Sequence, residues 1–235
     1  MIDYYTAKSL GGNTRKITIM LAETQLLHVV YFVDLDKGEQ FQDWYRAINA
    51  NSRIPAIVDR DVPEGFALSE SGAVLVYLAE KTGMFLPSSG PKRARVLEWA
   101  FWQASGLGPM AGQLDYFWRA APQKVDFAIR RYRDECVRLL GVLERQLSEG
   151  EYVAGEYSIA DMMLYSWVLP LHRALAARDQ PGAAQLTHIP RWLSAVRARP
   201  AVEVAMTRYE GTALRIGRDV EARVKLSVPV ERIGA

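Results

Sequence analysis

The chain has 235 residues, of which 49% are hydrophobic and 24% are charged, an ordinary composition that allows two modest domains or one large one. Its net charge of +2 is too small to indicate nucleic-acid binding, and a single cysteine, Cys136, excludes an internal disulfide framework or a cysteine-rich zinc site. The N-terminal residues lack the basic and apolar regions of a signal peptide, and no apolar run approaches the roughly 18 residues of a membrane span. We therefore expect a cytoplasmic protein with no metal, nucleic-acid or membrane partner.

The first part of the chain alternates strand and helix signals. Residues 2–6 are rich in β-formers, and a polar loop with two glycines follows over residues 9–13. Asn13 is a good N-cap for the next segment, whose apolar residues recur at helical spacing. The inward face of this helix is predicted to hold Ile17, Met20, Leu21 and Leu27. Residues 29–34 then read as a buried strand, so this part predicts a βαβ unit with parallel pairing.

A ββα unit is predicted next, after a short irregular helix over residues 39–49. Short strands at 56–58 and 66–68 are separated by a turn rich in Asp, Pro, Glu and Gly. Glu70 and Ser71 then open an amphipathic helix that stops at Gly83. The order βαβ followed by ββα predicts a thioredoxin-like domain.

The remaining chain has no convincing strand signal. Residues 84–92 read as a linker because they combine prolines with glycine and serine. Helices are predicted over residues 92–118, 122–147, from Ser158 onward, 190–199 and 201–214. The predicted organisation is an α/β thioredoxin-like domain over 1–83, a linker over 84–92, an all-helical domain over 93–215 and a tail over 216–235.

Local signals refine the helical part. Pro109 is expected to break or kink the helix over residues 92–118. The apolar stripe of this helix is predicted to consist of Val96, Leu97, Ala100 and Phe101. The sequence from Ser158 to Asp161 resembles a capping box, and it opens a helix that is apolar on most sides and therefore expected to be central and buried.

The stretch around Ile54-Pro55 and Glu70-Ser71 has the features of a binding edge. The Ile54-Pro55 bond is a candidate for the cis form, which would turn the backbone of Arg53 and Ile54 outward. The helix start at Glu70 and Ser71 offers free N–H groups and the positive end of a helix dipole to an anion. A ligand with a peptide-like middle and a terminal carboxylate would suit both features.

The loop at residues 9–13 follows a strand and precedes a helix, where ligands of α/β sheets usually bind. A thiol there would meet the Ser9 hydroxyl, the Asn13 amide and backbone N–H groups, which favour the thiolate. Lowering a thiol pKa by about two units needs roughly 2.7 kcal/mol, and one or two hydrogen bonds to a charge supply that amount. The alternative, that Asn13 is only a helix cap and Ser9 only a loop residue, stays open.

Three motifs occur in a familiar order: NSRIPAIVD, ESGAVLVYLAEKTG and FWQASGLGPM. In this order they resemble the glutathione S-transferases, most closely the bacterial nu class and its fungal relatives. The resemblance extends over residues 1–210 and implies the glutathione transferase fold, with glutathione as a co-substrate and no metal. It also implies a homodimer that combines weak transferase activity toward small electrophiles with glutathione-dependent disulfide reduction.

The resemblance assigns the thiol chemistry to the first loop. Ser9 and Asn13 would contact the glutathione sulfur, and the loop that joins them is two residues longer than the family pattern. The implied glutathione-binding set is Gln42, Asn51, Arg53, Ile54, Pro55, Glu70, Ser71 and Arg131.

Within that set the resemblance gives individual roles. Ile54 would pair through its backbone with the cysteinyl unit, and Arg53 would meet the glycyl carboxylate. Glu70 would meet the γ-glutamyl ammonium and Ser71 the γ-glutamyl carboxylate. Arg131 would help to hold a second glutathione or half of a disulfide. Capping and ion pairing on the surface are the alternatives for each, and a solvated helix face is the alternative for Arg131.

Other residues also allow two interpretations. An apolar second-substrate pocket or domain-interface packing would explain Trp102, Tyr116, Phe117 and Trp118. Tyr4 and Tyr5 lie early in the first strand, which argues against a catalytic tyrosine. Cys136 has core spacing, and without a C-x-x-C motif any redox reaction must use thiols supplied by the ligand.

Two functional hypotheses remain. The first is an enzyme that activates the glutathione thiol for conjugation to electrophiles, for disulfide reduction, or for both. The second is a binding or regulatory protein with the same fold and no turnover, which the longer loop between Ser9 and Asn13 would favour.

Overall fold

The structure is a computed structural model that describes residues 1–9, 11–178 and 186–207. It divides into two compact units, the first containing Met1–Leu78 and residues 203–207, the second Ala79–Val202. The boundary falls within a helix that ends at Thr82. The predicted limits of the two domains, the linker and the tail remain predictions.

A four-stranded mixed sheet forms the centre of the first unit. Its strands are β1 (Ile2–Thr6), β2 (His28–Phe32), β3 (Ala56–Asp59) and β4 (Phe66–Ser69), in the spatial order β2-β1-β3-β4. β1 is parallel to β2 and antiparallel to β3, and β3 is antiparallel to β4. Every residue of β1 and β3 is buried, as expected for central strands that are covered on both faces. The predicted thioredoxin-like domain is confirmed.

Helices complete the first unit. They are α1 (Gly12–Thr24), a 3-10 turn (Glu39–Phe41), α2 (Asp43–Arg46) and α3 (Ser71–Thr82). The predicted inward residues of α1 are buried except Leu27, which is 79% exposed. Its placement was wrong because α1 ends at Thr24 and Gln25 adopts a left-handed conformation with φ of 53°.

Aromatic side chains fill the core on one side of this sheet. Tyr5 stacks on Tyr31 with ring centroids 4.9 Å apart, and its ring also lies 6.2 Å from that of Tyr45. Val33, Ile48 and Val58 belong to the same buried cluster. The segment predicted as an irregular helix over 39–49 therefore covers this core, with the Tyr45 side chain buried in it.

In the described residues of the second unit, all regular elements are helices. Its helices are α4 (Gly90–Trp102), α5 (Gly108–Asp115), α6 (Asp126–Ser148), α7 (Ile159–Ala176) and α8 (His188–Arg197), and α9 (Pro200–Thr207) follows. Five-residue π-helical turns lie at Gln103–Leu107 and Tyr116–Ala120. The interruption predicted near Pro109 is thus a π-helical turn ahead of it, and Pro109 is the second residue of α5, which continues directly from that turn.

In the helical unit, most of the helix faces that were predicted to be buried are buried. Cys136 is fully buried on α6, and α7 is buried along most of its length. Ser158 and Asp161 form the predicted capping box, and the Asp161 carboxylate also accepts a 2.9 Å hydrogen bond from the indole of Trp192. Phe101 was placed wrongly: it is 68% exposed, and Trp99 is the buried aromatic residue of α4.

Part of the C-terminal prediction lies outside the described residues. The helix expected over 201–214 is described as far as Thr207, where α9 ends. The tail at 216–235 falls wholly outside the described part of the chain. Among the described helices, none is both long enough and apolar enough to cross a membrane.

Candidate functional site: a sheet edge with an anion seat

Three chain segments meet at one edge of the sheet. The register pairs Tyr5 with Ala56 and Ala56 with Ser69. The C-terminal end of β1, the start of β3 and the end of β4 therefore lie side by side. Because these strands lead to residues 9–13, follow Pro55 and precede Glu70, respectively, the predicted thiol loop, binding edge and anion seat converge on one edge.

The backbone at Ile54-Pro55 forms an unpaired stretch of this edge. The Ile54-Pro55 peptide is cis, as expected from the sequence. Among the described residues, neither the N–H nor the C=O of Ile54 has a hydrogen-bond partner. The side chain of Arg53 is exposed beside it. An extended ligand can therefore pair with this backbone as an added strand does.

Two buried side chains hold the backbone ahead of this edge. The Tyr45 hydroxyl and the Asn49 amide each donate a 2.6 Å hydrogen bond to the carbonyl oxygen of Arg53. The carbonyl of the Asn49 side chain in turn accepts a 3.0 Å bond from the N–H of Asn51. The loop over residues 49–53 is thus fixed from inside, while the Asn51 and Arg53 side chains remain exposed.

The predicted anion seat lies at the start of α3. Glu70 has a φ of 64°, in the left-handed region, and its side chain is exposed. A non-glycine residue adopts this conformation at a cost on the order of 1–3 kcal/mol, and such residues cluster at ligand sites. Ser71 is the first residue of α3 and is mostly buried. Its hydroxyl and the free N–H groups of the first turn form a seat suited to a carboxylate.

A buried lysine lies behind this seat. Lys16 is only 2% exposed, and its Nζ donates a 3.3 Å hydrogen bond to Ser71 Oγ. Burial lowers the pKa of Lys16 to about 7, and the negative charge of Glu70 acts in the opposite direction. This contact joins α1 to α3 beneath the seat, and the sequence analysis did not single out Lys16.

The start of α1 differs from the prediction. Gly11, not Asn13, is the N-cap residue, and Asn13 lies in the first turn of the helix with its side chain exposed. The Thr14 hydroxyl donates a 3.1 Å bond to the Gly11 carbonyl, and the Gly11 N–H donates a 3.0 Å bond to the Ser9 carbonyl. The role of Asn13 as a helix cap was therefore wrong. Its predicted contact with a thiol, like that of Ser9, remains a prediction.

Neither tyrosine of β1 is available as a catalytic group. The Tyr4 hydroxyl is buried and donates a 2.8 Å bond to the carbonyl of Thr14. Tyr5 is buried in the aromatic core, and burial together with the nearby charge of Asp3 raises its pKa above the usual value. Tyr5 therefore stays protonated, and both side chains support the fold.

The single cysteine is also structural. Cys136 is buried in α6, and its pKa is raised to about 12, first by burial and then by the charge of Glu135. A protonated, inaccessible thiol is a poor nucleophile.

The other predicted residues lie on exposed surface. Gln42 is the N-cap of α2 in the first unit, and its side chain is exposed. Arg131 belongs to the second unit, where it is exposed on α6. The hydrogen-bonded guanidinium of Arg138 lowers the pKa of Glu135, and the charge of Arg131 adds to that effect. The roles predicted for both in ligand binding remain predictions.

The predicted aromatic pocket residues pack mostly against other side chains of the helical unit. Trp102 lies edge-on to Trp99 at 5.1 Å, and Phe117 stacks on Tyr132 at 5.7 Å. The guanidinium of Arg178 lies over the ring of Trp118, 4.5 Å from its centroid. The described residues contain no group of three or more His, Cys, Asp or Glu side chains that could hold a metal ion.

The chain is similar to known proteins of one family. A family model for the glutathione S-transferase N-terminal domain matches residues 12–81. The disulfide-bond oxidoreductase YfcG of Escherichia coli (strain K12) is 42% identical over 214 residues, which cover 89% of this chain and 96% of that protein. This chain belongs to the glutathione S-transferase family. The family predicted from the three sequence motifs is confirmed.

Other glutathione S-transferase relatives agree over most of the chain. The disulfide-bond oxidoreductase YghU of the same strain is 38% identical over 205 residues, covering 83% of this chain and 71% of that protein. A glutathione transferase of Pseudomonas putida, solved with one glutathione disulfide per subunit, has a TM-score of 0.81 at 36% identity, covering 87% of this chain and 90% of that one. A Burkholderia graminis transferase, solved with two glutathione molecules per subunit, has a TM-score of 0.82 at 34% identity. The match covers 92% of this chain and 89% of that one.

Proposed function

We propose that this protein is a glutathione-dependent enzyme that binds glutathione at the sheet edge, activates its thiol and uses it for disulfide exchange. The observation that carries the proposal is the convergence of three features on that edge: the unpaired Ile54 backbone, the seat at Glu70 and Ser71, and the start of α1. A tripeptide with a terminal carboxylate, a central amide and a thiol has one group suited to each of these features.

The binding roles follow from the chemistry of each group. The γ-glutamyl carboxylate meets the Ser71 hydroxyl and the first-turn N–H groups of α3, where an anion is favoured. Its ammonium meets the exposed carboxylate of Glu70. The cysteinyl unit pairs with the backbone of Ile54 beside Pro55, and Arg53 meets the glycyl carboxylate. Gln42, Asn51 and Arg131 make further contacts, Arg131 with a second glutathione.

The thiol is activated at the start of α1. Gly11 and Gly12 leave the backbone open there, and the first N–H groups of a helix have no intrahelical partner. With the Asn13 amide and the Ser9 hydroxyl they stabilise a thiolate, as helix N-termini do. One or two such bonds contribute about 1.5–3 kcal/mol each, enough to lower a thiol pKa by one to two units.

The reaction uses only thiols that the substrates bring. The glutathione thiolate attacks one sulfur of a disulfide, a new sulfur–sulfur bond forms, and the other sulfur leaves as a thiolate that takes up a proton. A second glutathione thiolate then attacks the glutathione sulfur of the mixed disulfide. The products are glutathione disulfide and two thiols, so the substrate gains two electrons and two glutathione molecules lose them.

The relatives favour this reaction over a non-catalytic role. YfcG and YghU are named disulfide-bond oxidoreductases, and the Pseudomonas putida transferase was solved with glutathione disulfide. Conjugation of the same thiolate to a small electrophile is the second candidate, because an activated thiolate serves both reactions. By the same resemblance we propose that the protein acts as a homodimer.

Parallel assays test the proposal. Reduction of 2-hydroxyethyl disulfide by glutathione is compared with conjugation of glutathione to chloro-dinitrobenzene, and glutathione binding is measured by calorimetry. We expect saturable binding and a disulfide-exchange rate well above that without enzyme. Binding without turnover in either assay would overturn the enzymatic proposal in favour of a binding protein, and an absence of binding would overturn both.

A further inference from the structure

A buried cation touches the hydroxyl that is proposed to bind the ligand carboxylate. Lys16 lies on α1 among buried residues, with Thr14, Ile17 and Thr18 also buried around it in the sequence. Its Nζ lies 3.3 Å from Ser71 Oγ. Lysine is among the residue types least often buried, so this position calls for a physical reason.

The chemistry of the pair fixes the direction of the hydrogen bonds. A protonated lysine has three donors and no acceptor, so the Ser71 oxygen accepts in this contact whenever Lys16 is charged. The hydroxyl hydrogen of Ser71 is then left to donate elsewhere. A carboxylate at the start of α3 is an acceptor only, so it suits a serine that is held in this way.

We propose that Lys16 is a positioning residue of the carboxylate seat, whose buried ammonium orients the Ser71 hydroxyl toward the ligand and couples ligand binding to proton uptake. This inference rests on the proposed function, because it takes the γ-glutamyl carboxylate as the anion. The buried ammonium of Lys16 balances the charge of that anion from inside the fold. Because Lys16 can lose its proton, ligand binding then depends on pH.

The coupling follows from the charges around Lys16. Burial favours its neutral form, and Glu70 at the start of α3 is the charged group that opposes this effect. With a pKa of about 7, Lys16 is present in both forms near neutral pH. A bound carboxylate adds a second negative charge and raises the lysine pKa, so the complex takes up a proton.

The γ-glutamyl ammonium enters with its own charge, but it remains protonated in the free and bound states near neutral pH. It meets Glu70 rather than Lys16 in the proposed arrangement. It therefore adds no proton uptake of its own, and the uptake at pH 7.5 reports on Lys16.

The experiment is calorimetric titration with S-methylglutathione, whose sulfur does not ionise. Measurement in two buffers of different ionisation enthalpy gives the protons taken up per ligand. For the unmodified protein we expect about 0.5–0.75 proton at pH 7.5 and much less at pH 6, where Lys16 is already charged. The affinity should fall by up to about tenfold from pH 6 to pH 8.

Two variants separate this role from a purely structural one. Lys16→Arg keeps a positive charge at every pH used, so it should still bind but lose the proton uptake and the pH dependence. Lys16→Met removes the charge and should weaken binding at pH 6 while flattening the pH profile. Lys37→Met, which removes a well-exposed lysine of the same unit, is the matched control and should behave like the unmodified protein.

The outcomes distinguish this inference from the proposed function. Binding and turnover with no proton uptake, or with uptake that persists in Lys16→Arg, would overturn the role of Lys16 and leave the enzyme intact. If the unmodified protein does not bind S-methylglutathione or glutathione, the proposed function fails first. Should Lys16→Met not fold, the comparison of Lys16→Arg with the unmodified protein decides.

Discussion

The hydroxyl of Tyr45 donates a 2.6 Å hydrogen bond to the carbonyl oxygen of Arg53, the residue just before the cis Ile54-Pro55 peptide. Asn49 donates to the same oxygen, so that carbonyl is satisfied from inside the fold. The next backbone groups, those of Ile54, have no partner in the described part of the chain and can pair with a ligand. The aromatic core of the first unit thus extends directly to the proposed binding edge.

Removing the Tyr45 hydroxyl should therefore weaken binding. In Tyr45→Phe the ring keeps its packing but one hydrogen bond is lost, at a cost of about 0.5–1.5 kcal/mol, part of which should appear as weaker glutathione affinity. Calorimetric titration with glutathione measures it. Tyr152→Phe in the helical unit is the control, and equal affinities for the two variants would contradict the positioning role.

The Ser71 hydroxyl should contribute to binding and not to the chemical step. A hydrogen bond to a charged group is worth about 1.5–3 kcal/mol, so Ser71→Ala should raise the Kd for glutathione roughly 10–100-fold. The kcat at saturating glutathione should change little. Steady-state kinetics over a range of glutathione concentrations separates the two constants. Ser194→Ala, an exposed serine, serves as the control, and a normal Kd for Ser71→Ala would remove the carboxylate from this seat.

The opposite pattern is expected for Asn13. If its amide stabilises the thiolate, Asn13→Ala should lower kcat for disulfide exchange by about 10–100-fold while glutathione affinity stays nearly unchanged. Asn51→Ala is a matched substitution at the binding edge, and it should change affinity instead. An unaltered rate in Asn13→Ala would show that α1 activates the thiol through its backbone N–H groups alone, or not at all.

Activity should not depend on the protein's own thiol. Cys136 is buried with its pKa raised to about 12, and it is the single cysteine of the chain. Cys136→Ala should therefore retain disulfide reduction within about twofold of the unmodified rate. The 2-hydroxyethyl disulfide assay measures this. A large loss of rate in a protein that keeps its circular dichroism spectrum would point to a thiol relay through Cys136.

Lys16 should also make stability depend on pH in the absence of ligand. Its pKa is depressed in the folded protein, so between about pH 7 and 10 the unfolded chain binds a proton that the folded protein does not. Stability therefore rises with pH in this window, by on the order of 1–2 kcal/mol between pH 7 and pH 8.5. Urea unfolding of the unmodified protein and Lys16→Met at both pH values isolates this component, since the difference between them should shift by that amount. A pH-independent difference would mean that Lys16 is not titrating.

Local signals accounted for much of this fold. The alternation of short apolar strands with an amphipathic helix predicted the thioredoxin-like order, and the Ser158 to Asp161 spacing predicted the capping box. The cis Ile54-Pro55 peptide also followed from a local feature. Each depends on residues close in sequence, where propensity and hydrogen-bond geometry decide the outcome.

The features that could not be predicted from the sequence depend on contacts between residues far apart along the chain. Lys16 meets Ser71, 55 residues away, and nothing in the spacing of α1 distinguishes it from a lysine at the edge of an apolar face. Tyr45 lies in a segment for which the sequence predicted only a short irregular helix, and neither its burial nor its bond to Arg53 was predicted. The Asn13 cap was wrong because the loop contains two glycines, and Gly11 takes the cap position with extended backbone angles.

In the proposed mechanism the protein converts the thiol of bound glutathione to its thiolate. Ultraviolet titration of the glutathione complex of Cys136→Ala, with the S-methylglutathione complex as the reference, measures the pKa of that thiol without a protein thiol to interfere. We predict a pKa at least about one unit below the value of about 8.5 for a free thiol. Saturated binding with an unshifted thiol pKa would contradict the account.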